Sequence, residues 1–233
     1  MRAEKMKSDK SNNVSKLYLK TYNLLQTLGW SYIFFKFVQT DFSSTTEATL
    51  WNNVKWPLII FQHAAFLEAL HAVIGIVKSN PFLTAIQILS RVIVVSGVLL
   101  ATPTSYAASC FGLPLALFAW SITEIIRYLY YFMNLNEYTP YLLNWLRYTL
   151  FIVLYPIGVT GELLCIYSAT KYAHAHPDAY SYTLPNSWNF TFSYFYLLIF
   201  VAATYIPFFP QLYLHMFAQR RKVLGVETLK KGQ

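Results

Sequence analysis

The chain has 233 residues, of which 56% are hydrophobic and only 12% are charged, and its formal net charge is +8. A soluble domain is typically about 25% charged, so this deficit excludes an ordinary soluble domain and indicates a membrane protein with several spans. The basic residues cluster at the two termini, which excludes a nucleic-acid footprint, and the two cysteines imply neither a disulfide framework nor a zinc site.

Six segments are long and apolar enough to cross a hydrocarbon core, which takes about 20 residues. In chain order these predicted spans are Thr21–Val38, Trp56–Val77, Phe82–Ala101, Leu113–Met133, Tyr141–Tyr167 and Phe190–Phe217. We therefore predict an all-α membrane protein in which six transmembrane helices form a single polytopic domain over residues 1–233. The first 15 residues are polar, and we expect them to lack regular structure.

The distribution of loop charges predicts the orientation. Lys and Arg are abundant near both termini, whereas the opposite side carries only Lys36, Lys55 and Lys171. Positive charge marks the cytosolic side, so we expect the termini, residues 1–20 and 218–233, in the cytosol. Lys230 and Lys231 match the dilysine retrieval signal of endoplasmic-reticulum membrane proteins, which predicts residence there; the alternative is a plain basic tail.

Charged residues also fall inside the predicted spans. Glu68, Arg91 and Glu124 each lie near the middle of a span, where ionisable groups face the bundle interior and pair with one another. We predict that these three form a structural ion network that fixes the register of the helices. Arg127 and Arg147 lie nearer the cytosolic end, where they either reach the interface or bind the phosphates of a ligand.

His63, Glu68 and His71 share one span, but their spacing does not match a helical His-Glu-x-x-His zinc site, so we predict no metal centre. The sequence leaves undecided whether Cys110 and Cys165 form a disulfide, because it does not show whether the two thiols are close.

The segment Leu154–Glu162 carries the strongest functional signal. Tyr155 and Glu162 are seven residues apart, which places both on one helix face with an axial offset of about 10 Å. A phenol and a carboxyl can serve as proton donor and acceptor, and a carboxyl inside a membrane is costly to retain. Pro156 predicts a kink beside Tyr155. The residues alone leave a catalytic pair and a structural role equally open.

Several motifs occur in matching order and together resemble one family, the very-long-chain 3-hydroxyacyl-CoA dehydratases, once called protein-tyrosine-phosphatase-like membrane proteins. The resemblance extends from about Tyr22 to Arg221. The motifs that carry it are Leu67–His71, Gln87–Arg91, Trp120–Tyr128, Leu146–Tyr148 and Leu154–Glu162.

The resemblance implies dehydration of (3R)-3-hydroxyacyl-CoA to trans-2-enoyl-CoA, the third step of fatty-acid elongation in the endoplasmic reticulum. It implies that Tyr155 and Glu162 are the catalytic pair, that no cofactor or metal is needed, and that the condensing enzyme, ketoacyl-CoA reductase and enoyl-CoA reductase are partners. The older phosphatase name finds no support, because neither Cys110 nor Cys165 is followed at the required spacing by an arginine.

This reaction predicts the layout of the site. Glu162 is expected to take the C2 proton while Tyr155 assists the leaving hydroxyl, although the reverse assignment also works. The offset of about 10 Å requires the predicted kink or side-chain reach to shorten it. The acyl chain needs an apolar tunnel through the six-helix bundle, with CoA at the cytosolic mouth near Arg127, Arg147 and Tyr148.

Two other functions fit the sequence less well. A non-catalytic membrane scaffold of the elongation complex is the main alternative, and the presence of both predicted catalytic residues counts against it. A small transporter would need inverted repeats or pairs of broken helices, and the sequence has neither.

Overall fold

The computed structural model describes residues 2–40, 49–77, 79 and 81–231. These residues form helices and connecting segments, with one isolated antiparallel bridge between Tyr182 and Phe192. A π-helix, Ile93–Leu99, follows α4 directly, and a 3-10 turn, Ala107–Ser109, precedes α5. The α-helices are α1 Arg2–Val38, α2 Thr49–Ala64, α3 Phe66–Val73, α4 Pro81–Val92, α5 Gly112–Leu135, α6 Tyr141–Arg147, α7 Phe151–Ala175 and α8 Tyr194–Lys231. The predicted all-α class is confirmed.

The helices differ from the predicted spans at several boundaries. Helix α1 begins at Arg2, so the expectation that the first 15 residues lack regular structure was wrong. The second span is divided at Ala65 into α2 and α3, and the third changes from α to π at Ile93. The fifth is divided into α6 and α7 by the turn at residues 148–150.

Two helical segments of the described chain are long and apolar enough to cross a membrane, Phe151–Ala175 and Tyr194–Gly225. A shorter apolar helix covers Thr84–Leu99. These helices are therefore compatible with a membrane protein. The arrangement of six membrane-crossing helices around a tunnel stays a prediction.

Helix α5 lies at the centre of the fold. It packs against both α1 and α7, and α8 packs against α7. The core includes Trp30, Trp51 and Trp120, all fully buried. Large apolar side chains such as Phe200 and Ile206 are exposed on the outside, and such a surface suits contact with lipid.

Small residues allow α5 and α7 to approach at backbone distance. A Cβ atom added to Gly161 would lie 2.5 Å from the backbone nitrogen of Ala116 and 2.6 Å from the carbonyl oxygen of Gly112. One turn earlier, a Cβ on Gly158 would lie 3.3 Å from that of Ala119. Glycine and alanine at such a crossing let two helix backbones touch, so this contact fixes which side chains of α5 and α7 meet.

Helix α7 extends through Pro156 from Phe151 to Ala175, and the fifth predicted span is divided before it, at residues 148–150. A proline in a helix leaves the carbonyl four residues earlier without its usual N–H donor. Here that carbonyl belongs to Ile152, and the hydroxyl of Tyr213 on α8 donates to it at 2.9 Å. The donor from α8 satisfies the freed backbone group and joins α8 to α7 beside Tyr155.

Replacement of Gly161 by alanine is expected to destabilise the protein by about 1–3 kcal/mol, because the added methyl meets backbone atoms that no rotamer change can move. Glycine to alanine inside a helix ordinarily stabilises by roughly 0.5–1 kcal/mol, so the sign of the change is diagnostic. Thermal unfolding in detergent measures it. Gly97→Ala is the matched control, since its added Cβ meets only Ile93 at 3.8 Å; an equal loss in both variants would contradict the close crossing.

Candidate active site

The carboxyl group of Glu162 is buried, with 6% of the residue exposed. The indole nitrogen of Trp120 donates to its Oε1 at 2.8 Å, and the hydroxyl of Tyr205 donates to its Oε2 at 2.6 Å. A buried carboxyl is costly unless its oxygens are hydrogen-bonded, and here each oxygen has a donor. Its orientation is therefore fixed from two sides.

These contacts follow from the crossing of α5 and α7. Glu162 comes directly after Gly161, and Trp120 lies one helical turn beyond Ala116 on the facing helix. The close backbone approach brings the indole within reach of the carboxyl. Tyr205 approaches from α8, so three helices converge on one carboxyl group.

Tyr155 lies two turns before Glu162 on the same helix and is half-buried. Its ring stacks nearly parallel on Phe209, with centroids 5.2 Å apart, and on Tyr213, with centroids 5.9 Å apart. Glu162 and Arg91 are the charged groups that act on its hydroxyl. No hydrogen bond joins that hydroxyl to another described residue, so the phenol is positioned by its ring while its oxygen stays available.

The three charged residues predicted to form an ion network are brought together by a fourth, Arg127. Its guanidinium lies 2.9 Å from Glu68 and 2.8 Å from Glu124. Arg91 forms a salt bridge with the other oxygen of Glu124, and the hydroxyl of Tyr128 donates to Glu68. The network therefore joins α3, α4 and α5, with the fully buried Glu124 at its centre.

Trp120 connects this network to the carboxyl site. The guanidinium of Arg91 lies 5.9 Å from the centroid of the Trp120 ring, while the indole N–H of the same residue bonds to Glu162. Arg91 also acts electrostatically on Glu162. A continuous line of polar contacts thus extends from Glu68 to Glu162.

The predicted substrate-binding residues fall into two places. Arg127 is enclosed in the ion network, whereas Arg147 is surrounded by tyrosines, 4.4 Å from the ring centroids of Tyr130 and Tyr131 and 5.5 Å from that of Tyr148. Arg147 donates to the hydroxyl of Tyr131 at 3.0 Å, and its buried Nε has no hydrogen-bond partner. Of these two arginines, Arg127 is paired with carboxylates and Arg147 is held by tyrosines.

The histidines of the second span have separate partners. His63 bonds to the Ser96 hydroxyl at 2.9 Å and to the Ile59 carbonyl at 2.7 Å, and His71 bonds to the Tyr18 hydroxyl at 3.0 Å. Together with Glu68 in the ion network, these contacts leave the three side chains apart, and the described residues hold no group of three metal-binding side chains.

The sulfur atoms of the two cysteines, Cys110 and Cys165, lie 3.6 Å apart as free thiols, a proximity that the sequence could not show.

Trp120 and Tyr205 were not predicted as site residues from the sequence. Trp120 opens one of the recognised motifs, so its position carried a signal. Tyr205 lies in a span crowded with aromatic residues, in a chain with 19 tyrosines, and nothing in its spacing distinguishes it. Its contact with Glu162 depends on how α8 packs against α7.

Fold and site together define an all-helical protein with membrane-compatible helices and a buried carboxyl group facing a tyrosine. Residues 62–226 match the family described as protein tyrosine phosphatase-like protein, PTPLA. The chain belongs to this family.

Relatives from a mammal, a nematode and a plant are similar to most of the chain. It is 44% identical over 212 residues to very-long-chain (3R)-3-hydroxyacyl-CoA dehydratase 2 of Mus musculus, covering 91% of this chain and 82% of the relative. It is 44% identical to dehydratase hpo-8 of Caenorhabditis elegans, covering 92% and 97%. It is 40% identical to dehydratase PASTICCINO 2A of Oryza sativa, covering 91% and 95%. No solved structure matches the chain.

Replacement of Glu124 by alanine is expected to destabilise the protein by about 3–5 kcal/mol, because it leaves two partly buried arginines without their shared carboxylate. The unfolding midpoint in detergent measures the loss. The control is Lys16→Ala, which removes an exposed 2.7 Å pair with Glu137 at the surface. That variant should leave the midpoint unchanged, since exposed pairs contribute little. Equal midpoints for wild type and the Glu124 variant would rule out a structural role for the network.

Proposed function

We propose that this protein dehydrates very-long-chain (3R)-3-hydroxyacyl-CoA to trans-2-enoyl-CoA, as the third step of fatty-acid elongation. The observation that carries the proposal is the buried carboxyl group of Glu162, held through both oxygens on the same helix as Tyr155. Support comes from relatives that are named as dehydratases of this substrate and match the chain over about nine-tenths of its length.

The reaction has to remove a proton from C2, next to the thioester carbonyl, and to expel the C3 hydroxyl. Glu162 takes the C2 proton, the electrons of that bond form the C2–C3 double bond, and the C3–O bond breaks. Tyr155 donates a proton to the departing oxygen, which leaves as water. The carboxyl group then returns its proton to the phenol, so no redox cofactor is consumed.

The opposite assignment, with Tyr155 as base and Glu162 as acid, gives the same products. The hydrogen bonds favour Glu162 as base, because two donors stabilise its ionised form while each oxygen keeps lone pairs for a proton. The axial offset of about 10 Å between the two residues exceeds the spacing of adjacent carbons, so the mechanism requires both side chains to reach toward the substrate between them. Tyr205 donates to Glu162 and is therefore a positioning residue for that carboxyl group.

The surroundings of the reaction follow from the shape of the substrate. The acyl chain would occupy a tunnel within the bundle of six spans, and CoA would stay at the cytosolic mouth with Arg147 and Tyr148. Arg127 stays a predicted substrate-binding residue, although its two carboxylate partners favour a role in the network.

We place the protein in the endoplasmic-reticulum membrane as a multi-pass chain with both termini in the cytosol. The charge distribution and the tail lysines support this placement. The other enzymes of the cycle, which condense, reduce the ketone and reduce the enoyl product, are its proposed partners, because they supply the 3-hydroxyacyl-CoA and consume the enoyl-CoA.

Tyr155→Phe and Glu162→Gln are each expected to lower turnover of 3-hydroxyacyl-CoA at least about 100-fold, because each removes a proton-transfer group. Purified protein and product detection measure the rate. Tyr167→Phe, which changes an exposed tyrosine on the same helix, should behave as wild type. Full activity of either site variant would refute the assignment of Tyr155 and Glu162 as the catalytic pair. If the wild-type protein shows no turnover but still binds the elongation enzymes, the result would favour the non-catalytic scaffold.

Tyr205→Phe is expected to lower kcat about 10- to 100-fold with little change in KM, because a hydrogen bond to a charged group is lost while the ring stays. Steady-state kinetics and the unfolding midpoint, measured together, separate this effect from misfolding. Tyr196→Phe on the same helix is the control, since Tyr196 is exposed. A change in KM alone would mean that Tyr205 contacts the substrate instead of positioning Glu162.

A further inference from the structure

A cavity of about 340 Å³ lies between α6 and the C-terminal part of α8. It combines two guanidinium groups with two large aromatic rings. The residues around it are Tyr141, Trp145, Arg220, Arg221, Leu224 and Gly225.

The arginines of this cavity differ from Arg91 and Arg127, which are paired with carboxylates. Arg220 and Arg221 form no ion pair with any other side chain that the structure describes. The Nε of Arg220 is buried and has no hydrogen-bond partner. A buried donor without a partner is rare, and it indicates that a ligand group completes the site.

The composition of the cavity indicates the class of ligand. Guanidinium groups bind phosphate oxygens through paired hydrogen bonds, and aromatic rings stack on nucleobases. A phosphorylated nucleotide presents both features at once. A lipid headgroup shares the phosphate but has no base to stack on Tyr141 or Trp145.

The cavity is connected to the reaction site by a row of aromatic side chains along α8. Tyr155 stacks with Phe209 and Tyr213, and Phe151 contacts Tyr213 at 5.8 Å and Phe217 at 5.1 Å between ring centroids. The next turn of α8 after Phe217 carries Arg220 and Arg221. The row therefore ends at the basic cavity.

The distance between the reaction site and the cavity also fits the length of CoA. Tyr205, which bonds to Glu162, is 15 residues before Arg220 on the same helix, a separation of about 22 Å. Chains with peptide-like geometry cover about 3.5 Å for every three bonds, so the roughly thirteen bonds from the CoA sulfur to its first phosphorus span about 15 Å. The pyrophosphate and ribose of CoA cover the rest of the distance to the cavity.

We propose that the cavity between α6 and α8 binds the phosphorylated nucleotide end of CoA, with Arg220 and Arg221 on the phosphates and Tyr141 and Trp145 against the adenine. This inference rests on the proposed function, since it assigns a second subsite to the same substrate. In this arrangement the length of α8 between Tyr205 and Arg220 sets the distance between the nucleotide and the reacting carbons.

The test compares two thioesters of the same 3-hydroxyacyl chain, one with CoA and one with pantetheine, which lacks the nucleotide. The double variant R220Q/R221Q is expected to raise KM for the CoA thioester about 10- to 100-fold and to leave kcat unchanged. Turnover of the pantetheine thioester should match wild type, which also shows that the variant is folded. R220K/R221K, which keeps the charge, should restore part of the affinity.

Lys222→Gln is the matched control, because Lys222 is a neighbouring exposed cation that does not line the cavity. It should leave both thioesters unaffected. An unchanged KM for the CoA thioester in R220Q/R221Q would overturn the proposal. An equal rise of KM for both thioesters would overturn it as well, since the arginines would then act on the acyl part.

Binding of adenosine 3′,5′-bisphosphate separates this inference from the proposed function. The wild type in phosphatidylcholine nanodiscs is expected to bind this nucleotide by calorimetry, and R220Q/R221Q should bind it at least about 10-fold more weakly. That result would support the subsite even if neither thioester were turned over. The proposal would be overturned if the wild type does not bind the nucleotide but binds phosphatidic acid, and if this binding is lost in R220Q/R221Q. That result would identify a lipid site.

Discussion

The backbone contact between α5 and α7 is the constraint on which the rest of the structure depends. Gly112 and Ala116 on one helix and Gly161 on the other leave no space for larger side chains. Since apolar side chains gain little from leaving lipid for a protein interior, close packing of this kind is what holds membrane helices together. The same contact sets the rotation of both helices and so places Trp120 against Glu162.

The buried charges follow from that placement. Helix α5 carries Glu124 and Arg127 toward α3 and α4, where each meets a partner of opposite charge. One turn before Glu124, the indole of Trp120 donates to Glu162 on α7. Pairing removes most of the cost of burying these groups and leaves the Glu162 carboxyl with neutral donors only. A carboxyl held by an indole and a phenol is held in its ionised form less strongly than one paired with arginine.

Helix α8 contributes to the site although most of its surface is exposed. Tyr205 bonds to Glu162, Tyr213 donates to the carbonyl that Pro156 leaves free, and Phe209 stacks on Tyr155. The kink expected at Pro156 stays a prediction. Pro156 also leaves a carbonyl acceptor that anchors the neighbouring helix. The cost of the missing backbone hydrogen bond is thereby offset by a contact between helices beside Tyr155.

The sequence by itself determined the helical class, the polar pair Tyr155 and Glu162, the charged residues of the network and the family resemblance, because periodicity, composition and motif spacing are local properties of the chain. It predicted Glu68, Arg91 and Glu124 as mutual partners but not Arg127 as their link. Only the tertiary structure decided that Tyr205 and Trp120 hold the carboxyl, that α7 passes unbroken through Pro156, and that Arg220 and Arg221 border a cavity. Those facts depend on the rotation and distance of helices far apart in sequence, which the packing of small residues fixes and no local pattern encodes.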